Sequence, residues 1–261
     1  MEIDDEVEKV PILRVTQEGR SNVEETVARE SALTIILNNK ELVTLLCSPG
    51  DLKSLAVGFL VSEGLLASKA EITKLLVDDS RGLVRLETIE DKGFTQEVLA
   101  KRVLTSGCGA GTTFFRAVDA AIPKVESKMT ISPDEVFALV NQFQHGSELY
   151  LATHGVHSAA LCDRKSIQAF SEDIGRHNAI DKIFGRYFLE GKSTDNHLVI
   201  TSGRVSSEIL NKVAKRGIPI VVSISAPTSL GVRISNQLGI TLIGSVRGKK
   251  MNIYANDWRV S

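Results

Sequence analysis

One thiol stands in a run of small residues, Thr105-Ser106-Gly107-Cys108-Gly109-Ala110-Gly111-Thr112-Thr113, that gives a core almost nothing to bury. Glycines on both sides let the backbone approach a ligand closely, so Cys108 suits a soft nucleophile that another molecule must reach. The same residues also fit a small cysteine buried beside a glycine-rich turn, because reactivity depends on thiolate character and exposure. A second place gathers cations. Ser245-Val246-Arg247-Gly248-Lys249-Lys250 sets three cations around a glycine, a pattern that fits a phosphate or pyrophosphate and equally a solvated hairpin turn. Ser202-Gly203-Arg204 and Ser225-Ala226-Pro227-Thr228 each follow an apolar run, and Arg204 offers a planar fork for a phosphate or a base edge. The stretch Glu172-Asp173-Ile174-Gly175-Arg176-His177-Asn178-Ala179-Ile180-Asp181-Lys182 is denser in functional groups than a helix start requires. There Asp173 can neutralise a helix N-terminus, Arg176 and His177 can meet an anion, and Asp181, one turn after His177, can orient the imidazole. Capping plus salt bridges is the alternative. His154 and His157 could join Cys162 around a metal, but no fourth ligand stands at a convincing spacing.

These groups need elements to hold them. The first hundred residues read as strands at Val10 to Thr16, Asn22 to Ala28, Ala32 to Leu37 and Glu41 to Cys47, with Asn38-Asn39-Lys40 as a turn. A helix follows Ser48-Pro49-Gly50-Asp51, its apolar positions Leu52, Leu55, Ala56, Phe59 and Leu60 at helical spacing and Gly64 at its end. Leu83 to Ile89 and Glu97 to Leu104 read as further strands, the second leading straight to Cys108. From Ser132 helices and strands alternate. Ser132-Pro133-Asp134-Glu135 combines an N-cap, a proline at the first helical position and a capping-box glutamate. Strands are expected at Val156 to Cys162, Leu198 to Thr201, Ile218 to Ile224, Ile240 to Val246 and Met251 to Tyr254. Helices are expected around Asn178 to Leu189, Ser206 to Arg216 and Thr228 to Leu238. Short continuous apolar strands between amphipathic helices imply an α/β sheet covered on both faces, with ligands beyond the carboxyl ends of its strands.

Composition narrows the function. The 261 residues are 43% apolar and 24% charged with a formal net charge of -1, so an anionic ligand must be met by a local cluster, and no footprint for nucleic acid exists. The acidic start MEIDDEVEKV is unlike a secretory signal and no long apolar run spans a membrane, so a cytoplasmic address is expected. Three widely spaced cysteines, Cys47, Cys108 and Cys162, suit neither a disulfide framework nor a thiolate zinc site.

SGCG, GVHSAAL, EDIGRHNAIDK, SGRVSSEILNKVAKRGIPIVVSISAPTSLGV and LGITLIGSVRG, in that order and spacing, resemble the formate dehydrogenase accessory sulfurtransferase family FdhD over about Ser106 to Tyr254. The resemblance implies an α/β protein, α+β overall, with three parts. These are a smaller β-rich amino-terminal domain over 1–104, a mobile loop and connection carrying Cys108 over 105–131, and a three-layer α/β/α cytidine deaminase-like domain over 132–261. It implies a sulfurtransferase that takes persulfide sulfur from a cysteine desulfurase and delivers it to the molybdenum bis-molybdopterin guanine dinucleotide cofactor (or its tungsten counterpart) for formate dehydrogenase maturation. Cys108 would carry the persulfide, and Ser245, Val246, Arg247, Gly248, Lys249 and Lys250 would bind the guanine dinucleotide, with Arg176, His177, Arg204 and Thr228 completing the pocket. A homodimer, no resident zinc, no nucleic acid and no membrane are expected. Many relatives carry a C-x-x-C pair in the loop; here its second position is Gly111, so transfer would proceed through one persulfide.

Two other readings compete. A zinc nucleobase deaminase would need an H-x-E or C-x-E pair followed by P-C-x-x-C, and neither occurs. A chaperone that binds the cofactor without sulfur chemistry fits the missing second cysteine.

Overall fold

The computed structural model describes residues 3–90, 102–104, 112–114 and 122–261. Two long strands, β1 (Val7–Thr16) and β2 (Gly19–Ala28), pair antiparallel in unbroken register as a ribbon. Then β3 (Ser31–Leu37) turns back as β4 (Lys40–Cys47) through Asn38 and Asn39, both at positive φ, which asparagine tolerates best among non-glycine residues. With β5 (Ile72–Asp78) and β6 (Leu83–Thr88) they form a four-stranded sheet in the order β4-β3-β6-β5, in which β3 and β6 run parallel. Helix α1 (Leu52–Ser62) buries the expected Leu52, Leu55, Ala56, Phe59 and Leu60, closing one core with Leu33, Ile35, Val84 and Leu86. Short strands β7 (Arg102–Leu104) and β8 (Thr112–Phe114) pair antiparallel. Cys108 falls between them in sequence and lies outside the described residues, as do Gly109 to Gly111 and the first part of the expected strand at Glu97 to Leu104.

The remainder is a six-stranded sheet in the order β10-β9-β11-β12-β13-β14. Its strands are β9 (His157–Cys162), β10 (Ile167–Asp173), β11 (Leu198–Thr201), β12 (Ile220–Ser223), β13 (Thr241–Arg247) and β14 (Lys250–Ala255). The middle strands β11, β12 and β13 are parallel, and the flanking pairs are antiparallel. One face is covered by α4 (Arg176–Leu189), α5 (Ser207–Lys215) and α6 (Ser229–Leu238), whose Ile180, Ile183, Ile209, Val213 and Leu238 share a core with Leu161, Val199, Val221 and Leu242. The other face carries α2 (Pro133–His145), whose Val136, Leu139, Val140 and Phe143 meet Ala160, Ile200, Val222 and Ile243. The α2 start is capped as its sequence predicts: the Ser132 hydroxyl accepts from Glu135 N at 3.2 Å, and Glu135 accepts from Ser132 N at 2.7 Å. A short helix, α3 (Glu148–Thr153), follows.

Four elements escape the sequence reading, β8 among them. β5 and α3 carry weak patterns, and β10 lies where a helix approach is expected; its last residues, Glu172 and Asp173, end a strand instead.

Helix α1 is buried on nearly every side because its outer face meets α4. A Cβ on Gly58 would stand 1.8 Å from Asp181 O, and one on Gly185 1.9 Å from Ser54 O, so only glycine lets the two backbones cross this closely. Beside the crossing two ionic knots are shut from water. Lys182 Nζ lies 2.7 Å from Asp173, which also accepts from Ser48 N and the Asn178 amide. Lys212 lies 2.6 Å from Asp181 and 3.7 Å from Glu63, and Ser62 donates to Asp181 at 2.6 Å. Burial opposes charge on Lys212, but the Asp181 and Glu63 carboxylates outweigh it and hold its pKa above the ordinary lysine value.

Candidate functional site

Because β11, β12 and β13 are parallel, their carboxyl ends share one edge; β9 runs the other way, so its first residue, His157, stands there too. Serines stitch this rim together. Ser202 N donates to Ser158 O and Ser158 N to the Ser202 hydroxyl, at 3.0 and 2.9 Å. Ser225 donates to Ser202 O at 2.9 Å, Ser223 to Gly203 O at 2.8 Å, and Ser245 N to Ser225 O at 3.0 Å. A cavity of about 680 Å³ opens beside the rim, lined by His157, Ser202 and Ser225 below and by Tyr150, Leu151 and His154 of the α3 region above. Convergent polar groups in a largely apolar cleft, at the carboxyl ends of the strands, are what a ligand site in this architecture requires. A larger cavity of about 880 Å³ lies between α1 and α4, where Arg186 meets Asp51 at 2.7 Å and Lys182 belongs to the buried knot.

Positive charge surrounds the cleft. Arg176 opens α4 and packs on Gly203, where a Cβ would come within 2.8 Å of the arginine's own Cβ. Burial pushes the pKa of His157 down, and the charges of Arg176, His177 and Arg204 push it further, so its imidazole is neutral at pH 7; Nδ1 sits 3.3 Å from the Ser202 hydroxyl. The α3 wall is held by Glu172, whose carboxylate accepts from Leu149 N at 3.0 Å and Tyr150 N at 2.9 Å. Burial raises the Glu172 pKa, and those same amides pull the other way.

The structure sorts the residues singled out by sequence. The charges of Arg176, His177 and Arg204 all act on His157. Asp181 does not orient His177: it is consumed by Lys212 and Ser62, and His177 Nε2 faces Glu208 at 3.1 Å. Residues four apart share a helix face only broadly, and here the interior side of α4 claims Asp181 for α5. Thr228 caps α6, its hydroxyl accepting from Gly231 N at 3.0 Å, so that oxygen serves the helix. Ser245 sits at the rim at positive φ beside a bulge, and Val246 is buried in the core opposite α2. Arg247, Gly248, Lys249 and Lys250 form the exposed turn from β13 to β14, with Gly248 at φ 55°. Cys162 lies five residues along β9 from His157, about 17 Å away at the usual strand rise, so the two do not share a metal. Among the described residues no three His, Cys, Asp or Glu side chains converge as a metal cluster. Sequence pattern marks Ser202 and Ser225, each just past an apolar run, whereas His157 joins them only because β9 runs antiparallel to β11.

Cys47 and Cys162 are both fully buried. Burial pushes the Cys47 thiol up to about 11 and the Cys162 thiol to about 12, so neither supplies a thiolate at neutral pH.

A family model described as "FdhD/NarQ family" matches residues 28–261. A protein of Bacillus subtilis (strain 168) named sulfur carrier protein FdhD is 41% identical over 250 residues, 95% of each chain. One of the same name from Bacillus pumilus (strain SAFR-032) is 38% identical over 98% of each chain, and one from Staphylococcus aureus (strain MRSA252) is 38% identical over 96% of this chain and 95% of its own. A crystal structure of a candidate formate dehydrogenase accessory protein from Desulfotalea psychrophila superposes with a TM-score of 0.79 at 28% identity, covering 98% of this chain and 99% of that one.

Proposed function

The chain belongs to the FdhD/NarQ family, and on that premise we propose that it is a sulfurtransferase that carries sulfur on Cys108 for the maturation of formate dehydrogenase. The observation that carries the assignment to Cys108 is the burial of Cys47 and Cys162, two protonated thiols that no external donor reaches. The donor is a cysteine desulfurase bearing a persulfide. The Cys108 thiolate attacks the terminal sulfur; one S–S bond forms, the donor's breaks, and the donor cysteine leaves as a thiolate. The sulfur then passes as a neutral atom to the molybdenum of the bis-molybdopterin guanine dinucleotide, which returns Cys108 as a thiolate and oxidises the acceptor by two electrons. Gly111 stands where a second loop thiol would resolve the persulfide, so the sulfur stays on one residue until delivery.

The dinucleotide is held at the cationic rim: Arg247, Lys249 and Lys250 meet its phosphates from the β13–β14 turn, and Arg176 and Arg204 add charge beside the cleft. The carboxy-terminal sheet belongs to the cytidine deaminase-like class, and the protein works in the cytoplasm as a homodimer. No helix of the described residues is long and apolar enough to cross a membrane. The alternative, a chaperone that only binds the cofactor, keeps the rim and discards the thiol. Maturation separates them: with Cys108→Ala, formate dehydrogenase activity should vanish while binding of the guanine dinucleotide persists. Full maturation by that variant would leave the chaperone.

A further inference from the structure

The β1–β2 ribbon is built like an arm whose outer face is meant to be covered. Paired residues point the same way, and the register sums to 35, so Pro11 and Glu24, Leu13 and Asn22, and Val15 and Arg20 share one face; Ile12 and Val23, Arg14 and Ser21 share the other. The second face is partly sheltered at Val10, Ile12 and Val23, and Arg14 there meets Glu25. The first face is half-buried at Val7, Thr26 and Ala28 but open from Pro11 to Val15, where Leu13 is 55% and Val15 63% exposed. A strand that is apolar on both sides, as Val10-Pro11-Ile12-Leu13 is, normally has both sides buried. A two-stranded ribbon in water has too little core to stand alone.

The pattern on the open face is self-complementary. Asn22 lies midway between Arg20 and Glu24 on β2, and its partner Leu13 lies midway between Pro11 and Val15 on β1. Arg20 and Glu24 are about 13 Å apart along the strand, and neither has a partner among the described residues. A twofold axis through the Leu13–Asn22 pair sets Leu13 on the second copy's Leu13, Val15 against its Pro11, and Arg20 against its Glu24, twice by symmetry. An isologous contact has this form.

We propose that this ribbon face is a docking surface for a second copy of the chain, packed face to face about the Leu13–Asn22 pair. The inference rests on the homodimer in the reading above and gives it a location. The face is small, so the contact is a weak one on its own, and its specificity lies in the crossed charges. Sedimentation velocity over a concentration series of the full chain tests it. The wild type should pass from monomer to dimer. Leu13→Glu should shift the midpoint about tenfold or more toward monomer, and Arg20→Glu or Glu24→Arg alone should do likewise. The double exchange R20E/E24R should restore the wild-type midpoint, which a merely damaged ribbon would not do. A wild type that is monomeric throughout would overturn both the surface and the homodimer. A dimer indifferent to all these variants would overturn the surface alone, and neither result bears on sulfur transfer at Cys108.

Discussion

The stretch from Glu172 to Lys182 sends its charges to two regions that use them oppositely. At the α1–α4 crossing, Asp173, Asp181, Lys182 and Lys212 are buried and matched acid to base within 2.7 Å. At the rim, Arg204, Arg247, Lys249 and Lys250 are exposed, and no carboxylate pairs with them among the described residues. Buried matched charges hold a fold in one arrangement, and removing one partner leaves the other stranded; exposed cations of one sign contribute little to folding and wait for an anion. One motif therefore fixes the amino-terminal sheet to the carboxy-terminal one and, through Arg176, reaches the strand-end edge at Gly203.

Variants that exchange these roles would break the comparison, and the largest effect belongs to the crossing. Lys212→Ala leaves Asp181 and Glu63 buried without their cation and should cost about 3–5 kcal/mol, read as a fall in the urea midpoint. At the rim, Arg247→Ala with Lys249→Ala and Lys250→Ala should change stability by only about 0.5 kcal/mol. The same triple variant should weaken binding of guanosine diphosphate by about tenfold and flatten its salt dependence, measured by calorimetry. A triple variant that unfolds, or that binds as before, would contradict the division.

The smallest effect is one of pH. His157 and His177 are both lowered, chiefly by burial, so their folded pKa lies below the unfolded value. Such a group contributes stability above the unfolded pKa and loses it as pH falls through the folded one. Stability should therefore decline between about pH 7 and 5, and less steeply in His157→Gln/His177→Gln, by urea unfolding at each pH.

The sequence made the carboxy-terminal half legible because its signals are local. Ser132, Pro133 and Glu135 announce α2, and the continuous apolar runs of β11, β12 and β13 point to their own carboxyl ends, where the rim lies. What it hid was non-local. Nothing beside Asp181 in the chain says that Lys212 will claim it, and the value of Gly58 and Gly185 appears only when two helices cross there. His157 stands beside Ser202 only because β9 runs antiparallel to β11.

The central claim is that one thiol carries the sulfur. Incubation of the protein with a cysteine desulfurase and cysteine, followed by peptide mass spectrometry under non-reducing conditions, tests it directly. A gain of one sulfur atom is expected on the peptide containing Cys108, with Cys47 and Cys162 unmodified. Sulfur found on Cys47 or Cys162, with Cys108 bare, would contradict it.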